Sequence, residues 1–90
     1  MSALDRDPTA DDAPRLRRFS ILAQAEPGLL PRLIEPLAKR GLVPTRLEAI
    51  AEGATLRATL SVELDGAAAR LLGASLRAIV GVATGLTDPA

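Results

Sequence analysis

The stretch from Gln24 to Arg32, Q-A-E-P-G-L-L-P-R, is where the apolar period of the chain changes from two to between three and four. That change constrains the fold more than any other feature. Before it, Arg18 to Ala23 alternates, with Phe19, Ile21 and Ala23 on one face and Ser20 and Gln24 on the other, which predicts a strand. After it, Leu30, Leu33, Ile34, Leu37 and Ala38 recur at helical spacing. Glu26-Pro27-Gly28 is therefore a strand-to-helix turn. Pro27 suits a first helical position, where its missing N–H has no partner to lose, and Gly28 lets the backbone bend and leaves its amide uncovered. Free amides at a helix start attract a carboxylate. The same residues also read as a plain turn with a good helix start, which is the commoner use of such a stretch.

The first helix is expected from Pro27 to Arg40, with Lys39 and Arg40 complementing the dipole and Gly41 as the stop. Pro31 is harmless in the first turn. Pro36 removes a hydrogen bond, so the expectation is one helix bent near Arg32 to Pro36, with a break into two short helices as the alternative. A second strand is expected from Pro44 to Ala51, with Thr45, Leu47 and Ala49 on one face; Pro44 places it on a sheet edge. Glu52-Gly53 reads as a hairpin turn. In the third strand Leu56, Ala58, Leu60, Val62 and Leu64 alternate with Thr55, Arg57, Thr59, Ser61 and Glu63, so one face is buried and the other wet. Asp65 is a good N-cap for a helix from Gly66 to Arg77 whose inner stripe would be Ala68, Leu71, Leu72, Ser75 and Leu76. Gly73 weakens that helix unless close packing requires it. A last strand should span Ala78 to Thr84. Residues 1–15 read as a disordered tail rich in Asp and Pro, residues 16–86 as the folded domain and residues 87–90 as a frayed C-terminus. Arg15, Arg17 and Arg18 read as a solvated strand entrance.

This order predicts an α+β, ferredoxin-like βαββαβ domain: a four-stranded antiparallel sheet with two helices on one face and the first and third strands central. Composition then narrows the function. Lys+Arg and Asp+Glu are 11 each, so no basic field exists to hold nucleic acid or an anionic membrane, and the balance permits self-association. The chain has no Cys and no His, which excludes thiolate and imidazole metal sites, a Cys nucleophile and the usual general base. Phe19 is the only aromatic residue, so bases have nothing to stack on. There is no Asn for an acylphosphatase-like site. Glu26, Glu48, Glu52 and Glu63 are scattered without acid–base pairing, so no enzyme and no cofactor or metal is expected. No signal peptide pattern and no apolar span of about eighteen residues is present, and the reading is cytoplasmic.

The stretch R-F-S-I-L-A-Q-A-E-P-G-L-L-P-R-L-I-E-P-L-A-K-R-G-L-V-P-T-R-L resembles the ACT domain, in particular that of the regulatory small subunit of acetolactate (acetohydroxyacid) synthase. Glu26-Pro27-Gly28-Leu29-Leu30 and Lys39-Arg40-Gly41 match its turn and helix end, and L-R-A-T-L-S-V-E-L followed by L-R-A-I-V-G-V is similar to its third strand and the junction into the fourth. The resemblance covers residues 17–86. It implies a non-catalytic, homodimeric regulatory subunit that binds and activates the thiamine-diphosphate-dependent large subunit in branched-chain amino-acid biosynthesis. It also implies an amino-acid effector site where the first turn meets the second strand of a neighbouring copy. Carried over by position, the effector-binding candidates are Glu26, Gly28, Leu29, Leu42 and Val43. Valine-sensitive members carry Asn where this chain has Ala25 and Val43. Losing two amide side chains removes groups that hold a ligand's ends, which implies weak or no valine feedback. The alternative is a free-standing ACT-domain amino-acid sensor that acts through its own dimer.

Overall fold

The computed structural model describes residues 13–89. The order is β1 (Arg15–Gln24), α1 (Leu29–Lys39), β2 (Arg46–Glu52), β3 (Thr55–Leu64), α2 (Gly66–Arg77) and β4 (Val82–Pro89). The four strands form one sheet in the order β2-β3-β1-β4, with every neighbouring pair antiparallel. This is the expected ferredoxin-like arrangement, with β1 and β3 central and β2 on an edge. The core lies between the sheet and the helices: Phe19, Ile21 and Ala23 of β1 and Ala58, Leu60, Val62 and Leu64 of β3 meet Leu29, Leu33 and Leu37 of α1 and Ala69, Leu72 and Leu76 of α2. No helix among the described residues is long and apolar enough to cross a membrane.

The alternation in β1 is borne out, and that in β3 holds except at Ser61, expected on the wet face and found buried, its carbonyl taken by Thr45; the phase of both helices differs from expectation. In α1 the buried row is Leu29, Leu33 and Leu37, while Leu30 and Ala38 are exposed and Ile34 is half-buried. Three leucines spaced by four bury more apolar area than the Leu30, Ile34, Ala38 row, which ends in a single methyl group. Pro27 lies in the turn, two residues ahead of the helix, and not at its first position. α1 remains one helix through Pro36. The carbonyl that loses its partner there belongs to Arg32, an exposed residue, where water can take the bond. The helix ends as a Schellman motif: Gly41 at φ 68° donates to the Ala38 carbonyl (3.1 Å) and Leu42 N–H to the Leu37 carbonyl (2.9 Å). Arg40 then joins the two helices, donating to the Pro36 carbonyl at 3.1 Å and to Ser75 Oγ at 3.0 Å.

In α2 the Asp65 cap is observed, its Oδ1 accepting from the Ala68 N–H at 2.7 Å. The buried stripe is Gly66, Ala69, Leu72, Gly73 and Leu76, and Leu71 is 62% exposed. The small residues at 66, 69 and 73 take the inner face, and Leu71 is turned outward. β2 starts at Arg46, two residues after Pro44, and just ahead of it the Thr45 N–H and Oγ1 both donate to the Ser61 carbonyl of β3. The β2–β3 connection is Gly53-Ala54, one residue later than expected. β4 starts at Val82 and not at Ala78. Ala78 caps α2, and Val82 N–H donates to the Ile79 carbonyl (3.1 Å), so the intervening residues are a turn. β4 then runs to Pro89, which pairs with Arg17. β1 likewise extends back to Arg15. The expected tail at residues 1–12 and the last residue, Ala90, lie outside the described residues.

The other face of the sheet carries Ser20 and Leu22 of β1, Arg57 and Thr59 of β3 and Glu48 and Ile50 of β2 in cross-strand rows. Arg46 donates to Glu48 on this face at 2.7 Å. That bond, with the carboxylate charge, holds the Arg46 pKa above its ordinary value, without consequence for a guanidinium that is charged at any working pH.

Candidate functional site

The turn between β1 and α1 is pinned from both sides. Ala25 N–H donates to the Ala54 carbonyl of the β2–β3 hairpin and Gln24 N–H to the Gly81 carbonyl of the α2–β4 connection, each at 2.9 Å. Within the turn, Glu26 N–H donates to the Gln24 carbonyl (3.0 Å) and Leu29 N–H to the Glu26 carbonyl (3.1 Å). Gly28 is the N-cap of α1, at φ −81° and ψ −5°, and has no side chain to cap it. Arg32 fills that role in part: its Nη1 bonds Glu26 Oε1 at 2.8 Å, and its guanidinium lies over Gly28, where an added Cβ would stand 3.2 Å from Nη2. A Cβ at Gly81 would meet Leu29 Cδ1 at 3.5 Å and Glu26 Oε1 at 3.9 Å, so the α2–β4 connection forms the floor of the turn.

Of the expected site residues, Glu26, Gly28 and Leu29 are brought together. Leu29, however, is wholly buried and its amide already has an acceptor, so it offers a ligand neither side chain nor free N–H. Leu42 and Val43 lie beyond the other end of α1, and eleven helical residues separate the two groups by roughly 16 Å. Leu42 is half-buried against the core and Val43 is 82% exposed. One chain therefore does not assemble all five positions. Arg32 and Gly81 are the turn residues that the sequence reading overlooked. Arg32 was legible as the only charge opposite to Glu26 in Q-A-E-P-G-L-L-P-R, whereas Gly81 had no local signal because its partners come from β1 and α1.

Chemically, the turn presents one carboxylate and one guanidinium, paired and each about half-exposed, beside an uncapped helix start. That set complements a zwitterion, whose carboxylate suits Arg32 and the helix dipole and whose ammonium suits Glu26. It holds no nucleophile–base pair. No group of three or more Asp or Glu side chains among the described residues is placed to hold a metal ion.

No protein-family profile matches this chain, and no curated protein matches it. Solved structures do. The ACT domain of GTP pyrophosphokinase from Chlorobium tepidum is similar with a TM-score of 0.74 at 16% identity, over 84% of this chain and 100% of that one. An uncharacterized protein from Thermotoga maritima is similar at 0.72 and 16%, over 86% and 98%. The regulatory subunit of aspartate kinase from Thermus thermophilus is similar at 0.67 and 15%, over 88% of this chain and 57% of that one. At such identities the likeness is one of fold: the chain has the ACT-type arrangement of strands and helices. These structures carry that fold and not the acetolactate synthase small subunit in particular.

Proposed function

We propose that this chain is a non-catalytic regulatory subunit that binds and activates the catalytic subunit of acetolactate synthase, with weak or no feedback by valine. The observation that carries the reading is the β1–α1 turn. It has the ACT-type position, yet the Leu29 amide is bonded to the Glu26 carbonyl and Glu26 is held by Arg32, so an effector would have to displace internal partners. Ala25 and Val43 offer no amide side chains to offset that loss. Such a turn is suited to holding a shape for a partner more than to sensing valine. The resemblance of residues 17–86 supplies the identity of the partner.

The subunit is proposed to work as a homodimer in the cytoplasm, with the five candidate positions completed across two copies. The uniformly exposed edge strand β2 and the neighbouring Leu42 and Val43 form the surface for self-association. The experiment is co-purification of the tagged chain with the acetolactate synthase large subunit of the same source. Retention of the large subunit supports the reading, and its absence from the eluate rejects it.

A second reading is favoured by the Glu26–Arg32 pair, whose two charges match an amino acid's: a free-standing amino-acid sensor acting through its own dimer. Calorimetry against the twenty amino acids decides this reading. Saturable heat with one of them, lost on Arg32→Gln, supports the sensor, and no heat with any of them removes it.

A further inference from the structure

The helices leave β2 open. All seven of its residues are exposed. Leu47, Ala49 and Ala51 project on the helix side of the sheet, since they pair with Leu60, Ala58 and Leu56 of the core, yet no helix covers them and Leu47 is 38% exposed. Arg46, Glu48, Ile50 and Glu52 project on the other side, where Ile50 is 55% exposed. β3 is the only neighbour of β2 in the sheet, so its outward amides and carbonyls have no ladder partner among the described residues. Nothing blunts that edge. The sequence R-L-E-A-I-A-E holds neither Pro nor Lys, and it pairs with β3 without a bulge.

We propose that two copies of this chain pair β2 with β2, antiparallel, with Ala49 on the two-fold axis. This rests on the homodimer reading above and specifies how the copies meet. Residues opposite one another in an antiparallel pair project from the same face, so the helices of both copies share one side only if odd positions face odd and even face even. Around Ala49 all seven residues pair: Leu47 faces Ala51 of the other copy, and Arg46 faces Glu52. An axis at Glu48 sets that carboxylate against itself, and one at Ile50 sets Glu48 against Glu52; like charges directly opposite are destabilising. An axis at Leu47 or Ala51 pairs only three residues of the strand. The charges at the seam keep their present partners. Arg46 bonds Glu48 at 2.7 Å, and Arg57 lies 3.7 Å from Glu52. Around Ala49, Glu52 stands between Arg57 of its own copy and Arg46 of the other, so the two pairs join into a run of alternating sign, Arg57, Glu52, Arg46, Glu48. On the helix side Ala49 meets Ala49 and Leu47 meets Ala51, which removes from water an apolar face that one copy leaves exposed.

The chain has no Cys, so an introduced thiol reports the register. Opposite Cα atoms in an antiparallel pair are about 4.5–5.5 Å apart, inside the disulfide range of about 4.4–6.8 Å. Ala49→Cys should therefore give a disulfide-linked dimer in a glutathione buffer, read on a non-reducing gel. The two thiols of Ala51→Cys would stand four residues apart along the seam, roughly 13 Å, so that variant should not link, whereas a mixture of Leu47→Cys and Ala51→Cys chains should. Ala49 and Ala51 are exposed, so neither change disturbs the core. In sedimentation equilibrium, Arg46→Glu should weaken the wild-type dimer by about tenfold, and adding Glu52→Arg should recover most of the loss. Linking of Ala51→Cys as readily as Ala49→Cys, a dimer that Ala49→Cys does not link, or an affinity indifferent to Arg46→Glu overturns this pairing and leaves the homodimer reading standing. A chain that is monomeric at every concentration overturns both.

Discussion

Two glycines with positive φ allow the backbone account to be tested independently of packing. Gly41, at φ 68°, lies inside the left-handed helical well and closes the Schellman motif of α1, and an added Cβ meets nothing within 4 Å. Gly41→Ala therefore loses only backbone energy, about 1 kcal/mol, and Gly41→Asn should recover most of it because Asn tolerates that well. Gly81, at φ 101°, lies outside the well. Its Cβ contacts with Leu29 and Glu26, at 3.5 and 3.9 Å, are ordinary van der Waals distances, so steric overlap is not the source of the penalty. The backbone cost should be about 2–3 kcal/mol for Ala and Asn alike. For a domain of this size, each kcal/mol corresponds to a Tm shift of about 4–8 °C. Thermal melts followed by circular dichroism should then show Gly41→Asn near wild type and Gly81→Asn at least 8 °C lower, by the same scaling of about 4–8 °C per kcal/mol. If Gly81→Asn melts with the wild type, or the two Asn variants fall together, the reasoning from φ is wrong.

Other perturbations read separate parts of the account. Leu72→Ala should cost about 2–5 kcal/mol and Leu71→Ala less than about 0.5 kcal/mol in urea denaturation, since Leu72 is wholly buried and Leu71 is 62% exposed; comparable costs at the two positions would restore the inner stripe expected from the sequence, which held both. Asp65→Ala should lose about 1 kcal/mol with the Ala68 cap, and Asp65→Asn should keep most of it by the same measurement. Gly28→Asp should leave Tm within a few degrees, because φ −81° suits any residue and only the flexible end of Arg32 must give way. The added carboxylate would sit where a ligand's own should lie, so any amino-acid heat seen with the wild type should vanish.

Much of this fold was legible because its strongest signals are local. The strict alternation from Leu56 to Leu64, the Asp65 cap with the helix bounds Gly66–Arg77, and Gly41 after Lys39-Arg40 each depend on neighbours within a few residues. Helix phase was not, because in both helices two apolar rows compete and the sheet decides between them. Leu29 wins over Leu30 by filling the space beneath Gly81, and in α2 Gly66, Ala69 and Gly73 take the inner face that Leu71 was expected to share. The extent of β4 was not legible for a similar reason: Gly85 to Pro89 have a weak strand pattern of their own and pair with β1. At the turn, residue types showed where a helix starts, but not that the Glu26 carbonyl captures the Leu29 amide. Arg15 and Arg18 are exposed, as a solvated strand entrance requires, whereas Arg17 is half-buried because its guanidinium reaches the Leu64 carbonyl, which no local pattern signals.

The most direct test of the central claim is the activity of the purified acetolactate synthase large subunit, measured alone and with this chain added, while valine, leucine and isoleucine are titrated. The account predicts that the added chain raises the activity and that none of the three amino acids reverses the increase. Unchanged activity at saturating chain contradicts the regulatory-subunit reading, and inhibition by valine contradicts the inference drawn from Ala25, Val43 and the occupied Leu29 amide.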